Sequence, residues 1–193
     1  MRILLILFLI ISTLTVSAQR KHQTALDADQ QLNYCVSQAK KTLGIIRKDS
    51  IFPRTVDAGK TQWRFVKPAD WTSGFWPGIL WYMYDYTKLE EWKKEAHKSS
   101  SFLIPLSEKP AFDHDLGFQI FCSFGNGYRL TANPDYKKII NRTSDTLATL
   151  FDPKVGTILS WPFRVESLGG HNTIIDNMMN LEMLLWSSKK GGS

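Results

Sequence analysis

Cysteine is scarce in this chain. Only Cys35 and Cys122 occur among 193 residues, too few for a disulfide scaffold. Both stand in apolar helical contexts, so two buried free thiols are expected rather than a bridge. Metal-ligand spacings of Cys and His are missing, as is H-E-x-x-H, and no metal is expected. The phosphate-cradling glycine loop and the G-x-S-x-G elbow are also missing, which removes nucleotide chemistry and the serine-hydrolase reading. No organic cofactor is implied. Charge of one sign is in modest excess, with 24 Lys and Arg against 18 Asp and Glu, a formal net charge of +6. The cations are scattered as pairs such as Lys40-Lys41, Lys93-Lys94 and Lys137-Lys138. Without a basic stripe interleaved with aromatics, no nucleic-acid partner is expected. A mildly basic surface favours anionic ligands.

Long apolar runs are confined to the first 18 residues, MRILLILFLIISTLTVSA. One cation, an apolar run and small residues ending in Val16-Ser17-Ala18 form the three regions of a secretory signal peptide. A retained anchor is the other reading, but the run is short for a membrane span. No Cys follows the small residues, which argues against a lipoprotein anchor. The expectation is a signal peptide at 1–18, a mature chain from about Gln19, a bacterial periplasmic or secreted location, and no membrane contact after cleavage. The rest, 19–193, is long enough for one domain with a real core.

Helical periodicity runs through that remainder. Apolar residues recur at Leu32, Cys35, Ala39, Leu43 and Ile46, predicting a helix over 27–47. A polar, proline-containing stretch follows over 48–71. Ser73 is read as the N-cap of a helix over 74–86. Further helices are predicted over 89–106, over 114–130, from Pro134 to about Phe151, and from about Thr173 to Lys190, with Pro134 favouring a helix start. Two hairpins recur, 74–86 with 89–106 and 115–130 with 134–151. In each, the first helix is apolar all round and the second amphipathic. That alternation predicts the inner and outer helices of a helical toroid; an ordinary bundle, burying one stripe per helix, is the alternative.

The starts of the apolar helices carry the chemistry. They read DWTSGFWPGILW (70–81), DHDLGFQIF (113–121) and GHNTIIDNMMNLEMLLW (170–186). If these helices are neighbours, Trp71, Phe75 and Trp76 face the carboxylates Asp115 and Asp176 across one rim. Aromatic rings with a few acids suit sugars, the rings stacking on pyranose faces and the acids moving protons. Asp176 stands among Ile174, Ile175, Met178, Met179 and Leu181; it is either a first-turn acid or a buried carboxyl with a raised pKa fit for general acid work. Of Asp113 and Asp115, one caps the helix and the other points into the cavity. His114 and His171 are each structural or part of the site. Asn180 and Glu182 are expected to support the helix or a polar network. The Trp161-Pro162-Phe163 loop lends a stacking ring or plugs a gap.

Together the three starts resemble the unsaturated glucuronyl hydrolases, family 88 of the glycoside hydrolases, through DWTSGFWPGILW, HDLGF and DNMMNLE in order and spacing. The resemblance covers about residues 30 to 190 and implies an all-α, (α/α)6 barrel. It implies hydrolysis of 4,5-unsaturated glucuronyl oligosaccharides, the products of polysaccharide lyases, by hydration of their vinyl ether. By motif position it makes Asp176 the general acid and base, Asp115 the second catalytic acid, and Trp71, Phe75, His114 and Trp161 substrate-binding residues, leaving Asp113 as the cap. The family's domain is roughly twice as long, and six helices are read here where the toroid has twelve. The chain is therefore expected to be the N-terminal half of the barrel, inactive alone or completed by self-association. A related unsaturated rhamnogalacturonyl hydrolase and a non-catalytic carbohydrate-binding half-barrel are the alternatives.

Overall fold

Asp27 opens the first helix: its Oδ1 accepts the amide of Gln30 at 3.0 Å, an N-terminal capping bond. The computed structural model describes residues 26–46 and 48–192. The signal sequence read at 1–18 and the start at Gln19 lie outside the described residues. The chain divides into two units after Cys35. In the first, the early turns of α1 (Ala28–Ile45) leave Leu32, Tyr34 and Cys35 exposed. Burial of Cys35 was expected; among the described residues of this unit no second element exists to cover it. The second unit begins at Val36, where the later turns of α1 bury Ala39 and Thr42.

The polar stretch after α1 holds an antiparallel hairpin, β1 (Phe52–Val56) with β2 (Trp63–Val66). It is a local addition to the helical plan, carried by alternating Phe, Thr, Val and Trp. Helix α2 (Phe75–Thr87) then begins with Gly74, not Ser73, in the capping position. The Ser73 hydroxyl is buried and donates to the Pro68 carbonyl at 2.8 Å, so it cannot cap. A left-handed Lys88 ends α2 and turns the chain into α3 (Glu90–Ser101). Trp81 Nε1 on α2 donates to Ser100 Oγ on α3 at 3.1 Å, a buried bond that locks the hairpin.

In the next hairpin the apolar helix winds as a π-helix over Gly117–Gly125 before continuing as α4 (Asn126–Thr131). Two features widen this winding. The Ser123 hydroxyl donates to the carbonyls of Gln119 (2.6 Å) and Ile120 (3.1 Å), a side-chain bond that competes with the backbone ladder. Gly74 and Gly78 of the preceding hairpin also press directly onto its carbonyls. After a left-handed Ala132, Asn133 caps α5 (Pro134–Ala148), accepting the Asp135 amide at 2.9 Å, with Pro134 in the first turn as expected. A short hairpin, β3 (Phe151–Asp152) with β4 (Thr157–Ile158), precedes α6 (Asn177–Lys189).

Buried Leu80, Trp81, Ile120, Phe124, Tyr136, Ile140, Leu147 and Met183 form one core drawn from α2, the π segment, α5 and α6. Helix α6 packs on α5 and the π segment. Its buried residues are Asn177, Asn180, Met183 and Ser187, while Ile175, just before it, and Met178, Met179 and Leu185 on it are at least 64% exposed. All-round burial was expected of this apolar helix; it is met on one face only. No helix among the described residues is long and apolar enough to cross a membrane.

Close helix crossing sets a sharp steric condition at Gly74. A Cβ there falls 2.2 Å from the Phe118 carbonyl oxygen and 2.3 Å from that of Gln119. Gly74→Ala is expected to cost about 1–3 kcal/mol or more through overpacking, read as a lower urea midpoint. Gly44→Ala in α1, where nothing lies within 4 Å, is the control and costs nothing.

Candidate active site

Three chain segments meet at Ser160. Its carbonyl accepts the backbone amide of His114 at 3.1 Å and stands 2.9 Å from His114 Nδ1. Its amide donates to the Asn172 carbonyl at 2.8 Å. Its hydroxyl receives the Ile174 amide (3.1 Å) and the Asn177 side-chain amide (3.0 Å). These bonds occupy the backbone of residues 172–174, with Thr173 Oγ1 also donating to the Ile158 carbonyl. Helix α6 therefore starts only at Asn177, four residues later than the periodicity predicts.

Asp176 consequently stands at the helix mouth rather than inside an apolar helix. It occupies the capping position yet makes no side-chain capping bond. Its carboxylate turns to His114, with Oδ1 3.2 Å from Nε2, and the side chain is 35% exposed. Asp115 also approaches that nitrogen, Oδ1 to Nε2 3.4 Å, with its side chain 10% exposed. Asp113 was expected to cap the helix, but the capping position falls at Leu116, which makes no side-chain capping bond; Asp113 instead holds the turn before it, its Oδ1 accepting the Asp115 amide at 3.0 Å.

His114 is fully buried. A carbonyl only accepts, so Nδ1 carries a proton toward Ser160. Nε2 then faces two carboxylate oxygens, and at least one proton must lie among these three groups for the contacts to be attractive. Burial pushes the Asp115 carboxyl up to about 6; His114 opposes the rise, Asp113 and Asp176 add to it by like charge, and a hydrogen bond from Asn180 opposes it. Burial also raises the Asp113 pKa. The three ligand atoms lie within 4.8 Å of one another. One imidazole and two carboxylates would also suit a small cation, but a shared proton satisfies the same atoms.

Asn180 was expected to support a network, and it does. Its Oδ1 accepts the Phe118 amide at 2.9 Å, and its Nδ2 donates to the Asp176 carbonyl at 3.3 Å. Trp161 sets its ring 5.7 Å from His114, edge on. Trp71 and Phe75 form a separate cluster with Phe118, centroids 5.6–5.9 Å apart. Phe118 connects that cluster to the acids, since it lies in the first turn of the π segment, three residues after Asp115, and shares Asn180 with it. The loop under Trp71 is pinned by Arg54, whose guanidinium pairs with Asp70 at 2.6 Å and lies over the Trp71 ring. Gln119 Nε2 donates to the carbonyls of Pro68 and Asp70. His171 bonds Thr157 and Thr173 in the loop and stays out of the acid cluster.

Sequence reasoning missed Ser160, Asn172, Asn177, Phe118 and Gln119. The polar ones supply tethers from within loops or helix faces, and a lone Ser or Asn carries no periodic signal. Phe118 was legible as an aromatic one turn beyond Asp115.

No family model matches the chain. Individual proteins do. Over 144 residues it is 37% identical to the unsaturated glucuronyl hydrolase of Formosa agariphila, an alignment covering 73% of this chain and 35% of that protein. The unsaturated glucuronyl hydrolase of Bacillus sp. strain GL1 is 31% identical over 143 residues, covering 73% of this chain and 38% of its own length. A crystal structure of an unsaturated glucuronyl hydrolase specific for heparin superposes with a TM-score of 0.74 at 35% identity, covering 83% of this chain and 42% of that one. The chain belongs to the unsaturated glucuronyl hydrolase family. It spans between 35% and 42% of the length of these relatives. The helical hairpins of α2 to α5 are thus part of the unsaturated glucuronyl hydrolase toroid, and the six α-helices among the described residues are consistent with about half of it.

Asp115 gives a signed pH prediction. Its folded pKa, about 6, lies above its ordinary value of 3.8, so the folded state holds the proton more tightly. Stability from this group is full below about pH 4 and falls as pH rises through about 6. Asp115→Asn should raise Tm at pH 7 by roughly 2–4 °C or more, and the gain should vanish at pH 4. Equal gains at both pH values would contradict the assigned burial cost.

Proposed function

We propose that this chain contributes the acid centre of a hydrolase acting on 4,5-unsaturated glucuronyl oligosaccharides, and that it works by hydrating their vinyl ether. The observation that carries the reading is the half-exposed Asp176 carboxylate, paired through fully buried His114 with buried Asp115. A proton donor to substrate must reach solvent space; its partner need not. Asp176, protonated, delivers its proton to C4 of the unsaturated ring, and positive charge develops at C5. Asp115 and Asp176, as carboxylates, stabilise that charge. Water then adds at C5 and gives up its proton to Asp176, which returns to its starting state. The product is a hemiketal; it opens and expels the remaining sugar. No glycosidic carbon is attacked, so the carboxylate-separation rule for retaining and inverting enzymes does not apply.

The relatives' names support a uronyl substrate, and one of them is specific for heparin. Lyase products of glycosaminoglycans share the unsaturated uronyl end and are the substrate class proposed here. Trp71 and Phe75 would hold an adjoining ring by stacking on its apolar face. Export by the signal read at 1–18 would deliver the chain to the periplasm or outside the cell, where such products form.

Loss of the ultraviolet absorbance of the conjugated double bond reports hydration directly. With an unsaturated chondroitin disaccharide, the absorbance is expected to decay, and Asp176→Asn is expected to slow the decay by about 10²–10⁴-fold. Undiminished turnover in that variant would remove Asp176 from the mechanism.

A further inference from the structure

The proposed substrate is an anion, yet the centre that receives it holds Asp115 and Asp176, with Asp113 next to them in the chain. A carboxylate or sulfate approaching three acids needs a compensating cation. Arg54 beside Trp71 is already neutralised by Asp70 at 2.6 Å. Arg164 differs. Its guanidinium carbon stands 5.4 Å from the centroid of the Trp161 ring, the side chain is exposed, and among the described residues no ion pair to it is formed.

Its position is built rather than incidental. The Trp161 backbone is clamped by Asn172, whose Oδ1 accepts the Trp161 amide (2.9 Å) and whose Nδ2 donates to the Trp161 carbonyl (3.3 Å). A 3-10 turn over Pro162–Arg164 fixes Arg164 against that carbonyl, amide to carbonyl 2.9 Å. Phe163 stacks on Phe112 at 4.7 Å and 17°, stapling the loop to the segment that carries Asp113, His114 and Asp115. The Trp161 ring meets His114 edge on. With Arg164 over it, Trp161 presents a ring-held guanidinium instead of a bare stacking surface.

We propose that Arg164 is a specificity residue: held over the Trp161 ring, it pairs with an anionic oxygen group of the substrate, either the uronyl carboxylate or a sulfate on the adjoining sugar. This rests on the hydrolase reading above. A planar guanidinium lying over an indole is suited to bidentate pairing with either anion. It also supplies the charge that draws an acidic sugar toward an acidic centre.

Two variants test it. Arg164→Gln keeps the stem and removes the charge. It is expected to raise KM about tenfold, with the loss falling on KM more than kcat, and to flatten the salt dependence of kcat/KM. Arg164→Lys should recover part of both. Running sulfated and unsulfated unsaturated disaccharides side by side separates the sources: equal penalties assign the carboxylate, and a penalty confined to the sulfated sugar assigns sulfate. Unchanged KM and salt dependence in Arg164→Gln overturn the proposal. A second readout does not require turnover. Trp161 fluorescence is titrated with saturated glucuronate and with glucose, in the unsubstituted chain and in Arg164→Gln. Preference for the acid that disappears with the guanidinium upholds the anion site even if no hydration occurs, in which case the hydrolase reading alone fails. Equal responses to the two sugars in the unsubstituted chain overturn it.

Discussion

Everything at the acid centre depends on one serine. Ser160 sits in a loop, yet its carbonyl holds His114 while its amide and hydroxyl hold the 172–177 stretch that leads into α6. The double acceptance by its carbonyl fixes both the backbone and the ring of His114. The fixed ring sets where two carboxylates may stand, one buried and one at the mouth. The hydroxyl, by taking the Ile174 amide, delays the start of α6 and leaves Asp176 free to face the imidazole. Loops of this kind hold function because a rigid scaffold positions them; here the scaffold is the crossing of α2, the π segment and α6.

That crossing is unusually close. Gly74 and Gly78 bring α2 against the carbonyls of the π segment, and Gly117 brings the π segment against Asn180. Asn180 then serves the Phe118 amide and the Asp115 carboxylate from one buried position. Helix packing and site assembly are therefore one set of contacts, and a methyl group added at the crossing would disturb both.

The hairpin order and the cap at Asn133-Pro134 were legible in the sequence, because period and capping are local signals; that Asp115 and Asp176 come together at His114 was legible only through the motifs that carry them. The signal faltered where tertiary contacts overrode local preference. Ser73 looked like a cap but is turned inward to Pro68. The helix after Thr173 looked continuous, but its first turn is claimed by Ser160 and Ile158. Cys35 looked buried by period, and burial needs a neighbour that period does not specify. The π winding left no mark except Ser123, whose back-bonding is one of several things a mid-helix serine can do. The motif resemblance reached further than periodicity, since it singled out Asp115 from Asp113 where composition alone left them equal.

The π segment has a consequence for how this helix can change over generations. Its hydrogen bonds close over five residues instead of four, so it accommodates an extra residue that an α-helix would not. Removing a single residue between Gly117 and Gly125 would let the helix wind normally. Everything on one side of the deletion would then swing by about a quarter turn, since an α-helix places 3.6 residues per turn. Asp115 lies just before the segment and the core residue Phe124 lies within it, so the acid and the core would no longer face their present neighbours together. The length of this helix is in that sense a setting that insertion and deletion can reach but point substitution cannot.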